Sequence, residues 1–145
     1  MKMLGKGLAG LAVSAMALGS AVALEASADE RKIALELAVQ TQQAVMAAKT
    51  AFDRDTAYPL EHVIKPLRTA AARWDNERRV PEKVKDTHLG CKSAGANLRT
   101  LANERYVLKT STTNSTWRDQ VKKHLAEDLA SCEASIKKPA NHYIS

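Results

Sequence analysis

Two cysteines constrain this chain more than any other feature. Cys91 and Cys132 flank a polar stretch, Lys109 to Thr116, and the midpoint between them falls inside it. The stretch is Ser/Thr/Asn-rich and poor in apolar residues, so it reads as a loop. Helices joined by a short loop pack as antiparallel neighbours, and residues equally far from the loop then lie level. A disulfide needs Cα atoms about 5.5 Å apart, whereas packed helix axes sit about 8–10 Å apart. Small neighbours permit the closer approach. Gly90, Ala94 and Gly95 surround Cys91, and Ala130, Ser131, Ala134 and Ser135 surround Cys132. The expectation is one disulfide between two adjacent helices, contributing about 4 kcal/mol at most.

Helical spacing extends the pattern to four segments. The first runs from about Asp29 to Phe52, with Ile33, Leu37, Ala44, Ala48 and Ala51 on its inner face, and the polar run Asp53 to Thr56 follows. The second starts near Pro59 and carries Leu60, Val63, Ile64, Leu67, Ala70, Ala71 and Trp74. Pro66 stands inside that stripe, where it either kinks the helix or delays its true start. The third opens at Pro81 and reaches about Leu108, burying Val84, Cys91, Leu98, Leu101 and Ala102. The fourth begins with the capping pattern Thr116-Trp117-Arg118-Asp119. It places Trp117, Val121, Leu125, Leu129, Cys132 and Ile136 on one face, and Pro139 ends it. No segment alternates as a strand does. The expected fold is all-α: an up-down-up-down four-helix bundle with one disulfide linking helices 3 and 4.

The start of the chain has a different character. Lys2 and Lys6 precede an uncharged Leu/Ala/Gly-rich run, Gly7 to Leu24, which closes on two small-x-small sites, Ala21-Val22-Ala23 and Ala26-Ser27-Ala28. A cationic start, an apolar middle and an Ala-x-Ala end form a secretory signal. Residues 1–28 are therefore expected to be a signal peptide cleaved after Ala23 or Ala28, leaving 29–145 as a single helical domain. Periplasmic or secreted localisation also suits a disulfide. Cleavage after Ala23 lowers the net charge from +6 to +4, and cleavage after Ala28 to +5; this mildly basic balance favours acidic partners, and an exported chain is not expected to meet nucleic acid.

Chemistry-bearing motifs are sparse. No nucleophile, base and orienting group assemble, so no catalytic residue and no enzymatic activity is assigned. His62, His88, His124 and His142 fit no metal-ligand spacing and read as surface residues; no metal and no cofactor is expected. One alternative is a haem or metal carrier of the four-helix cytochrome type. Met46, His62 and His124 fall at similar height, although no C-x-x-C-H motif is present.

The remaining signals point to binding. Leu35, Val39 and Met46 form a second apolar stripe on helix 1. Such a helix either sits between neighbours or leaves a patch for a partner. At one pole of the expected bundle, Arg78, Arg79, Lys83 and Lys85 belong to a basic cluster diluted by acids. The reading is an exported cell-envelope protein that binds a protein partner, in the manner of an inhibitor, immunity protein or adaptor. A homodimer through helix 1 would use the same stripe. A membrane-surface or chaperone-like role driven by the basic pole is the other alternative.

Overall fold

The structure, a computed structural model, describes residues 26–108 and 115–138. The expected signal segment up to residue 25, the inter-helix stretch 109–114, Pro139 and His142 lie outside the described residues. Among the described residues there are four principal helices and no strand.

Helix α1 spans Ala28–Asp53. A capping box starts it: the Ser27 hydroxyl accepts the Glu30 amide at 3.1 Å, and the Glu30 carboxylate accepts the Ser27 amide at 3.1 Å. Both satisfy donors that a helix start otherwise leaves open. The helix ends where Asp55 takes a left-handed backbone, φ 51°, which Asp tolerates better than most residues. Its buried face differs from the expected one. Ala34, Leu37, Ala38, Thr41, Val45, Ala48 and Phe52 are buried, whereas Ile33, Ala44 and Ala51 are only half-buried. The face is broad because α1 touches each of the other three helices. Thr41 can stand in it because its hydroxyl donates to the Leu37 carbonyl at 2.8 Å.

Helix α2 spans Lys65–Asn76, preceded by a π-helical turn over Leu60–Ile64. Pro66 therefore delays the regular helix rather than kinking it. Proline cannot donate to the residue four back, and its ring clashes with that carbonyl. The Lys65 amide bonds instead to the Leu60 carbonyl, and this wider turn makes room for the ring.

The third segment opens with a helical turn, Glu82–Lys85, and a 3-10 turn, Asp86–His88. It continues as α3, Leu89–Ala102, and ends in a π-helical turn, Asn103–Leu108. Helix α4 spans Ser115–Lys137, so Thr116 lies within its first turn instead of capping it. Trp117, expected in the core, is 36% exposed.

Helices α3 and α4 form the antiparallel pair anticipated from the cysteines. Cys91 and Cys132 are bonded, with Cα atoms 4.6 Å apart. His88 Nδ1 meets Ser135 Oγ at 2.8 Å, Asn97 donates to Asp128 at 2.7 Å, and Arg118 donates to Glu104 at 3.0 and 3.2 Å. All four pairs are centred within about one residue of position 112, so the register holds along the hairpin. Gly90 permits the approach: a Cβ there would stand 2.8 Å from the Asp128 carbonyl oxygen and 2.9 Å from the Cys132 amide nitrogen. Gly95 does not serve the disulfide as the sequence suggested. Its nearest neighbour is Val45 of α1, at 3.4 Å from a built Cβ.

The main core joins Val45, Phe52, Val63, Leu67, Leu98 and Leu125. A second cluster packs Leu37, Ala38 and Trp74 against the disulfide, and a third seals one end with Ala34, Val80 and Val84. No helix among the described residues is long and apolar enough to cross a membrane.

Candidate partner-docking groove

Helix α4 packs closely on α3 and only partly on α1. Between α1 and α4 this leaves a groove of about 850 Å³. Its floor consists of Phe52, Leu101 and Leu125, residues that also belong to the main core. Met46, Lys49 and Asp53 stand on the α1 wall. Lys122, Ala126, Ala130 and Glu133 line the α4 side. Exposed alanines four residues apart on α4 keep that wall low, while the floor residues themselves are only 3–5% exposed.

Charge at the rim is mostly neutralised from within. Lys49 pairs with Asp53 at 2.6 Å, and Glu133 with Lys137 at 2.6 Å. The Lys137 hydrogen bond holds the Glu133 carboxyl below its usual range. Lys122 makes no ion pair or hydrogen bond among the described residues, so the groove carries an uncompensated positive charge at one end.

The expected binding residues divide into four groups. Met46 is 48% exposed and stands on the groove wall. Leu35 and Val39 are half-buried and lie outside the groove lining. Arg78, Arg79 and Lys83 are exposed at the far end of α2 and beyond it. Arg79 folds back on Glu77, donating to both carboxylate oxygens at 2.8 and 3.0 Å. That bond drives the Glu77 carboxyl down to about 2.

Lys85 must be removed from the basic cluster. It is 2% exposed, and its ammonium donates to the Trp74 and Glu77 carbonyls at 3.2 Å each and pairs with Glu82 at 2.6 Å. All three of its donors are thus used inside the protein. It ties the end of α2 to the start of the third segment and presents no charge to a partner.

The histidines also separate. His62 is exposed, its ring edge-on to Tyr58 at 6.2 Å, and His124 is exposed beside Glu127 at 3.4 Å. Neither lines the groove where Met46 stands. His88, expected at the surface, is fully buried. The Ser135 hydroxyl donates to the Cys132 carbonyl at 2.8 Å, so His88 Nδ1 donates to the Ser135 oxygen. A Ser–His pair of this length resembles a nucleophile and its base. Here Ser135 is only 2% exposed, so no substrate reaches it, and the pair instead braces the hairpin beside the disulfide. No group of three or more His, Cys, Asp or Glu among the described residues is placed to hold a metal ion.

The α4 side of the groove was missed in the sequence. Ala126 and Ala130 between Lys122 and Glu133 look like an ordinary solvated face, and only the offset of α4 from α1 turns that face into a wall. Comparison with known proteins gives no family for this arrangement: no family model, curated protein or solved structure matches the chain.

Proposed function

We propose that this chain is an exported, non-enzymatic protein of the cell envelope that binds a protein partner, and that the α1/α4 groove receives an acidic amphipathic helix of that partner. The observation that carries the reading is the groove itself, a core-derived apolar floor between two helices of a disulfide-stapled scaffold. Helix-in-groove recognition uses apolar anchors at successive turns on a floor of this kind. Met46 suits such a wall because its flexible, polarizable side chain adapts to the anchor it meets. The unpaired Lys122 and the net charge of +4 that remains once Lys2 and Lys6 leave with the signal favour a partner helix with carboxylates beside its apolar row.

Residues 1–23 would act as the secretory signal. Cleavage after Ala23 keeps the Ser27 cap of α1, whereas cleavage after Ala28 removes it. Export would also supply the oxidising compartment that a Cys91–Cys132 disulfide requires.

The test is capture from envelope extract by the wild-type protein and two charge variants. Met46→Glu is expected to abolish capture of a partner that the wild type retains. Arg78→Glu with Lys83→Glu is expected to weaken it only modestly. The opposite ranking would assign binding to the basic pole and overturn the groove reading.

A further inference from the structure

A second concavity lies on the other side of α1, between α1, α2 and α3. It is smaller, about 130 Å³. Its depth is apolar: Leu67, Ala70 and Trp74 line it, and all are buried. Gly95 adds backbone without a side chain, which keeps the space open. An engineered apolar cavity of about 150 Å³ takes up benzene, so this volume matches one ring.

The rim is charged. Lys92 and Asp75 bridge α3 and α2 across it at 2.9 Å and neutralise each other. Arg99 is half-buried as a residue, lines the hollow and has no acceptor for its guanidinium among the described residues. The guanidinium offers a fork that fits a carboxylate bidentately.

We propose that this cleft is a binding site for a small single-ring organic anion, an aromatic carboxylate being the fitting class, with its ring in the apolar hollow beside Trp74 and its carboxylate on Arg99. The site stands apart from the α1/α4 groove and does not depend on partner binding there.

Benzoate is the probe, with benzyl alcohol as the uncharged ring and acetate as the ringless anion. Trp74 and Trp117 are the two tryptophans of the chain, so Trp117→Phe leaves Trp74 as the fluorescent reporter. Benzoate is expected to change its emission saturably, with acetate giving no response and benzyl alcohol binding about tenfold more weakly, the loss of one charge-assisted contact. Arg99→Gln is expected to erase the preference for benzoate. Gly95→Ala is expected to weaken benzoate severalfold, and its circular dichroism should stay native because the added methyl group meets only Val45 at ordinary contact distance. Absence of a saturable benzoate response at millimolar concentration would overturn the site. Equal binding of benzoate and benzyl alcohol would overturn its assignment to an anion.

Discussion

Gly90 lies so close to Cys132 that a Cβ on the glycine would stand 2.9 Å from the cysteine's amide nitrogen. The obstruction is backbone, which cannot rotate away. Helix propensity alone favours Ala over Gly by about 1 kcal/mol, but here packing decides the sign. Gly90→Ala is expected to destabilise the protein by about 1–3 kcal/mol, the usual range for overpacking. Gly95→Ala on the same helix, with its nearest neighbour at 3.4 Å, is expected to stabilise by about 0.5–1 kcal/mol. Urea unfolding of the two variants under non-reducing conditions checks both signs.

Lys85 and Lys83 are neighbours in sequence with opposite roles. Lys85→Met removes the only charged group that ties the Trp74 and Glu77 carbonyls to Glu82. The Trp74 carbonyl keeps the Glu77 amide at 3.4 Å, so the part-buried Glu77 carbonyl is the acceptor that loses its donor, and a loss of about 1–3 kcal/mol is expected. Lys83 is exposed, and Lys83→Ala should change stability by less than about 0.5 kcal/mol. Equal effects in thermal unfolding would mean that Lys85 is not the internal tie described above.

Glu77 gives stability a pH dependence of defined sign. Its folded carboxyl titrates near 2, first through the Arg79 side-chain hydrogen bond and then the Arg79 backbone bond, against 4.5 ordinarily. A depressed folded pKa contributes stability fully above the unfolded value and loses it as pH falls through the folded one. Wild type should therefore exceed Glu77→Gln by a constant margin of about 1 kcal/mol from pH 5 upward. The margin should shrink between pH 4.5 and 2 and vanish below. A margin undiminished at pH 2 would exclude Glu77 ionisation as its source.

The capping box bears on processing. Ser27 and Glu30 satisfy each other's amides, and the Ala26 carbonyl accepts from Arg31 at 3.0 Å. A mature chain that starts at Leu24 keeps all three contacts; one that starts at Asp29 loses them, and loss of an N-cap costs about 1 kcal/mol. N-terminal sequencing of protein recovered from the envelope is expected to begin at Leu24.

These contacts also mark how far the sequence could be read. The hairpin was legible because cysteine spacing, loop composition and small neighbours each pointed to the same register. Pro66 announced a disturbance, and its outcome, a π turn ahead of the helix, was one of the two expected. The inner face of α1 lies about one residue out of phase with its apolar spacing. A helix with three neighbours buries a wide arc, and a Thr bonded to its own backbone counts as apolar there. Lys85 and His88 look like surface residues in the sequence because polarity alone predicts exposure, and the partners that make their burial affordable come from elsewhere in the chain. The α1/α4 groove depends on how far α4 stands from α1, a distance that no residue pattern encodes.

Site-specific photo-crosslinking in cells that produce the protein tests the docking groove most directly. Met46 and Leu89 are equally exposed, at 48% each, but only Met46 lines the groove. A photoreactive residue at position 46 is expected to trap a discrete partner adduct, and the same residue at position 89 none. Labelling that is equal at the two positions, or confined to position 89, would contradict the assignment of the groove as the binding face.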